Sequence, residues 1–225
     1  MKEIKTQKII IKFLNFFNIY ISKKTKNSEK IEKLLMIIIS QNYANYDVPL
    51  PENVILRINL AWCNSIEQFK KILEKHMDHK IFVDLPIGRI KPPNNKYTVE
   101  ELVPIMEANK NIKFLAVSNV VMPSDLETYL NLIPKHVNIV PKIESPQGIL
   151  NIESITKELP KKEKFVMLDH DDLFSSIKRN NEPESKFVDY VSMLIKFCKE
   201  NKISLLRTVG VIFSDDEERV TQYIK

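Results

Sequence analysis

Short apolar runs alternate along this chain with amphipathic stretches of helical period. The runs are KIIIKFL (8–14), NVILRINL (53–60), KIFVDL (80–85), IKFLAVS (112–118), VNIVPKI (137–143), KFVML (164–168) and ISLLRTVGVIF (203–213). They are apolar on both faces and bounded by polar or turn residues, as strands of a buried parallel sheet are. Helix start signals lie between them. Ser65 to Gln68, Thr98 to Glu101 and Ser124 to Glu127 each read as a capping box ahead of an apolar stripe. Further stripes are Ile149, Ile152, Ile155 and Leu159, then Phe187, Tyr190, Val191, Leu194, Ile195 and Cys198. Residues 28–39 also read as helix, through Ile31, Leu34, Leu35 and Ile38. From residue 53 onward the strand starts recur at the period of strand–helix units. A doubly wound open sheet and a (β/α)8 TIM-type barrel both fit. Seven strands are one short of a closed barrel, unless 203–213 is two strands run together. With no Pro- or Gly-rich linker, residues 1–225 read as one domain.

Composition removes several function classes. The chain has only three glycines, Gly88, Gly148 and Gly210. A Walker loop and a dinucleotide fingerprint both need glycines close together, so neither is present. Cys63 and Cys198 form no CxxC pair. That excludes a zinc ribbon, and both read as buried thiols of a reduced, cytoplasmic compartment. His76 and His79 read as a solvated pair near a helix end. The net charge of +5 is concentrated in residues 1–34, which hold nine lysines and three acids. Binding of nucleic acid or an anionic membrane through this segment ranks last, because KIIIKFL is better used as a core strand. No apolar run reaches the length of a membrane span. The stretch 9–21 reads as structure rather than a signal peptide.

In either α/β architecture, function gathers at the carboxyl ends of the strands. The polar residues there are Arg57, Asn59, Asp84, Ser118, Asn119, Lys142, Glu144, the run Asp169 to Asp172, Arg207, Thr208 and Ser214. Lys142 and Glu144 are two apart on a strand and therefore share a face; a satisfied ion pair is the plainer reading. Carboxylates from adjacent strand ends are suited to a hard divalent cation. Capping of the short segment LFSSI by Asp171 or Asp172 is the plainer reading there.

KIESPQGILNIESI (142–155) followed by FVMLDHDDL (165–173) resembles the core of the phosphoenolpyruvate/pyruvate-binding barrels, most closely pyruvate kinase. The HpcH/HpaI aldolases and the citrate-lyase-β group come next. ILRINLAWCN (55–64), VDLPIGRIK (83–91) and FLAVSNV (114–120) are similar to further segments of pyruvate kinase in order and spacing. The resemblance implies that Glu144 and Asp172 bind Mg²⁺ or Mn²⁺. It implies that Lys142 stabilises enolate charge, that Arg57 contacts phosphate, and that Asn59 and Asp84 hold a monovalent cation such as K⁺. Ser118, Arg207 and Thr208 are candidate substrate contacts. The implied ligand is a 2-oxo acid or phosphoenolpyruvate, and the implied reaction is pyruvate kinase-like transfer, with an aldolase or lyase as the alternative. His170 is a candidate base beside the metal position, with a solvated loop His as the plainer reading. Several positions depart from the family pattern: Ala61, Trp62, His170–Asp171, and Phe174 where the family has glycine. The family's lid domain after the third strand is replaced by PPNNKY (92–97). A catalytically degenerate relative serving as a binding or regulatory partner is the third expectation. An incomplete ring would leave an edge that favours a homo-oligomer.

Overall fold

The computed structural model describes residues 38–40, 54–89, 92–93, 95–160 and 163–206. It contains strands β1 (Ile38–Ser40), β2 (Ile55–Asn59), β3 (Lys80–Leu85), β4 (Ile112–Val117), β5 (Asn138–Ile143), β6 (Phe165–Leu168) and β7 (Ser204–Leu206). All pair in parallel, in chain order β1 to β7. The sheet curls into an incomplete barrel, and side chains from every strand meet in one interior cluster. The expected strand at 8–14 lies outside the described residues, as does most of the segment read as helix at 28–39. The end of that segment is corrected: Ile38 and Ile39 belong to β1, paired to Ile55 and Leu56. A run apolar on both faces is buried more fully in a sheet than on a one-sided helix. Of the run 203–213, only β7 lies within the described residues.

The helices are α1 (Ile66–Lys75), α2 (Val99–Ala108), α3 (Glu127–Leu132), α4 (Pro146–Leu150), α5 (Ile152–Glu158), α6 (His170–Arg179) and α7 (Lys186–Glu200). They cover the outer face of the sheet. Strand residues Leu56, Ile58, Val83 and Leu115 pack there with Phe69, Leu73, Leu102 and Met106. Farther along, Ile143, Val166 and Leu168 pack with Ile155, Ile177, Leu194 and Cys198. The opposite strand positions point inward, as the two-residue period requires. Phe82, Phe114, Val140, Phe165 and Met167 fill the barrel beneath its carboxyl-end rim. Phe114 lies between the rings of Phe82 and Phe165, with centroids at 5.8 and 5.1 Å.

The predicted caps are present with local differences. Thr98 and Glu101 form a complete capping box. Ser65 accepts from the Gln68 N–H, but Gln68 returns its bond to Asn64 rather than Ser65. Ser124 does not start the third helix. A 3₁₀ turn at Pro123–Leu126 precedes α3, and Asp125 accepts from the N–H groups of Val121 and Met122. The stripe at 149–159 is split at Asn151, whose amide is drawn to the Val121 carbonyl at 2.7 Å. Ile195 faces outward on α7. His76 is buried rather than solvated, with its ring against His79. Both cysteines are buried and neither is in a disulfide, and burial pushes the Cys198 thiol up to about 11. Among the described residues no helix is long and apolar enough to cross a membrane.

Candidate functional site

The inward positions change character at the rim. Two residues beyond Phe82 stands Asp84, two beyond Val140 stands Lys142, and two beyond Met167 stands Asp169. The same alternation places Ser118, Glu144 and Arg57 on the interior side. Apolar side chains thus form a floor, and charged side chains sit on it where the strands end.

These groups make one connected network. The Arg57 guanidinium donates through Nε and Nη2 to Oδ2 of Asp84. Lys142 Nζ reaches the same oxygen at 3.3 Å, Glu144 Oε1 at 2.8 Å and Asp169 Oδ2 at 3.5 Å. It also donates to Ser118 Oγ at 3.3 Å, and that hydroxyl lies 3.5 Å from the other Asp84 oxygen. Glu144 Oε2 accepts from the Asn119 N–H at 2.6 Å. Reach across β3 and β5 is possible because the sheet is concave on this side. Asp84 and Lys142 are almost fully buried, while Arg57 and Asp169 retain 12% and 24% side-chain exposure.

Burial and charge act oppositely on these groups. Burial alone would raise the Asp84 carboxyl, but Lys142 and Arg57 outweigh it and hold the group below the usual carboxylate range. Burial alone would lower Lys142, but Asp84 and Glu144 outweigh it, so the amine stays an ammonium far into the alkaline range. For Glu144, burial wins. Lys142 opposes it without overcoming it, the Asp169 charge adds to it, and the carboxyl is raised.

Ligand oxygens of Glu144, Asp169 and Asp172 all lie within 4.8 Å of one another. Glu144 follows β5, while Asp169 and Asp172 open α6 after β6. Asp169 is also the N-cap of that helix, accepting from the Asp172 N–H at 3.3 Å. The expected cap at Asp171 or Asp172 is thus corrected to Asp169, because the helix already starts at His170; a carboxylate has more acceptor sites than the cap uses. The set is all hard oxygen, which fits Mg²⁺ or Mn²⁺.

No protein-family model matches this chain, and no curated protein matches it. Among solved structures, it is similar to RipC from Yersinia pestis. The TM-score is 0.54 at 14% identity, over 83% of this chain and 81% of RipC. At that identity the likeness is one of fold.

The structure brings together Arg57, Asp84, Ser118, Lys142, Glu144 and Asp172. Asn59 and Asp84, the residues expected to hold a monovalent cation, each have protein partners. Asp84 is neutralised by two side-chain cations, and Asn59 accepts from the Ala61 N–H at 3.0 Å to cap the 3₁₀ turn Leu60–Trp62. Arg207, Thr208 and Ser214 lie outside the described residues. The His170 ring lies 6.1 Å from that of Phe187, against α7. Phe174 also packs edge-on to Phe187, with Lys178 over its face, so its ring is spent on the helix layer. Sequence reasoning passed over Asp169 as a third member of the acidic cluster and the Asn119 N–H as a donor. The first was legible in the alternation Phe165, Met167, Asp169; the second depends on a backbone angle that no residue pattern displays.

Proposed function

We propose that this chain is a divalent-metal-dependent enzyme of the phosphoenolpyruvate/pyruvate class, forming and stabilising the enolate of a 2-oxo acid at the barrel rim. One observation carries the reading. The strand-end cluster sets two cations, Arg57 and Lys142, against four carboxylates, Asp84, Glu144, Asp169 and Asp172. Three of those four carboxylates converge. A partly buried cluster with two negative charges in excess is costly unless a cation of matching charge joins it.

Glu144, Asp169 and Asp172 would hold the metal, which when bound polarises the substrate's keto and carboxylate oxygens. Lys142, held as an ammonium by Asp84 and Glu144, would offer a fixed positive charge to a developing enolate oxygen. An amine that keeps its proton is unsuited to a Schiff base, so the chemistry falls to electrostatics. Asp84 orients the Arg57 guanidinium at the opening, where its fork would receive a carboxylate or phosphate group. Ser118 bridges Lys142 and Asp84 and keeps the ammonium aimed inward.

The fate of the enolate is carbon–carbon bond cleavage or formation in the aldolase and lyase relatives, and phosphoryl transfer in pyruvate kinase. A local observation favours the former. β3 ends at Leu85 and α2 begins at Val99, so the connection that holds the kinase lid is short here. Asn95 and Tyr97 of that connection bond back to Ala61, Asn64 and Cys63, which ties it down on the neighbouring loop. The eight-stranded form of the barrel belongs to the same proposal. Ile38 of β1 and Leu206 of β7 share the interior cluster, and KIIIKFL (8–14) has the pattern of a strand that would lie between them.

The test is hydrogen–deuterium exchange at the methyl group of pyruvate, followed by NMR in D₂O with Mg²⁺ or Mn²⁺. Metal-dependent exchange that Glu144→Gln and Asp172→Asn abolish is expected. Exchange at background in the wild-type protein would leave a binding protein without turnover.

A further inference from the structure

Residue 119 follows β4 by two positions, and its backbone lies in the left-handed region, at φ 55°. Asparagine is one of the few residues other than glycine that adopt this conformation readily. The conformation has a direct effect at the rim. It turns the Asn119 N–H toward the end of β5, where it donates to Glu144 Oε2 at 2.6 Å. The other oxygen of that carboxylate meets Lys142 Nζ at 2.8 Å. Glu144 is therefore held from two sides, by a cation and by a fixed neutral donor.

The surroundings hold this left-handed residue in place from several sides. On one side the Ser118 N–H donates to the Leu85 carbonyl, and on the other the Val120 N–H donates to the Lys142 carbonyl, both at 3.3 Å. The Asn119 side-chain amide donates to the Ile87 carbonyl. It also lies 3.5 Å from where a Cβ on Gly88 would stand, and Gly88 itself has φ +66°. Three strand ends, those of β3, β4 and β5, are thus tied through one residue.

We propose that Asn119 is a positioning residue for Glu144: its left-handed backbone aims the amide that holds one carboxylate oxygen while Lys142 holds the other, and so fixes the orientation of the carboxylate beside Asp169 and Asp172. The geometry stands by itself; its consequence for metal affinity rests on the metal-dependent reading above. Asn119→Gly keeps both the N–H and the left-handed conformation and removes only the side-chain tether. Asn119→Val disfavours positive φ, because a β-branched side chain clashes there.

The experiment has two arms on the full-length protein. The first follows the backbone amide proton of residue 119 by ¹⁵N-edited NMR without metal. It is expected downfield in the wild type and in Asn119→Gly, and shifted upfield in Glu144→Gln. The second measures Mn²⁺ affinity. Asn119→Val is expected to weaken it by about 10- to 100-fold, while Asn119→Gly stays within about threefold of wild type. An amide proton indifferent to Glu144→Gln overturns the proposal, and that arm does not require the valine variant to fold. Equal losses in the glycine and valine variants, or none in either, also overturn it. A responsive amide together with Mn²⁺ affinity unchanged in Glu144→Gln keeps the positioning role and removes Glu144 from the metal set.

Discussion

Asp84 and Glu144 both pair with the Lys142 ammonium, and their protonation behaviour diverges. Asp84 has a folded-state pKa below its ordinary value, because Lys142 and Arg57 outweigh its burial. Its contribution to stability is therefore present above the ordinary carboxylate range and is lost as pH falls through the folded value. Asp84→Asn removes a charge partner from both the buried Lys142 and the partly buried Arg57 and is expected to cost roughly 3 kcal/mol at neutral pH. It should also flatten the acid limb of stability, which urea denaturation measured from neutral to acidic pH would show. Glu144 is raised, burial being the first cause, so its ionised form weighs against folding. Glu144→Gln should melt no lower than wild type without metal. Added Mg²⁺ should raise the melting temperature of the wild type alone. A metal-induced rise that survives in Glu144→Gln would remove the ligand assignment.

At the scale of elements, the rim depends on how closely α4 approaches the loop after β4. Ser145 caps α4, and Gly148 in that helix faces the Val120 carbonyl, which a Cβ would meet at 2.7 Å. The neighbour is backbone, already bonded to Lys142 on the one side and followed by the Asn151 bond to Val121 on the other. Gly148→Ala is expected to destabilise by about 1–3 kcal/mol, as overpacking does. Because the displaced backbone adjoins Asn119, it should also weaken Mn²⁺ binding. Thr98→Ala is the control on the distal helix α2. Loss of that complete capping box should cost about 1 kcal/mol and leave metal affinity unchanged. Chemical denaturation of the two variants, paired with a metal titration, separates a local packing loss from one that reaches the site.

For the whole molecule, the interior floor is what makes a charged rim sustainable. The rings of Phe82, Phe114 and Phe165 fill the concave side of the curled sheet under Asp84, Ser118 and Lys142. Phe114→Ala should cost about 3–5 kcal/mol, measured by denaturant unfolding, because the curled sheet cannot collapse into the space left. The segment before residue 38 offers a second test at this scale. If KIIIKFL supplies a strand between β1 and β7, one of Ile10 and Ile11 faces the interior and the other the helix layer. Ile10→Asp and Ile11→Asp should then both lower the thermal midpoint sharply, since each buries an unpaired charge. Unchanged midpoints in both variants would make the segment an appendage and leave the sheet at seven strands.

Much of this organisation was legible along the chain. Alternating apolar runs and capped helical stripes determined the parallel α/β architecture, because a strand buried on both faces and a helix buried on one have different hydrophobic periods. The period-two alternation also carried Asp84, Lys142 and Glu144 to the same side of the sheet. What a periodicity cannot state is distance between strands. Only the curl of the sheet brings Lys142 of β5 to Asp84 of β3, turns a presumed cation ligand into the partner of two side chains, and adds Asp169 to Glu144 and Asp172. Only the left-handed turn at Asn119 aims a backbone donor at Glu144. Side-chain facing is a local property of the backbone repeat, whereas the balance of charges at a rim is set by which strands the fold places within a few ångströms of one another.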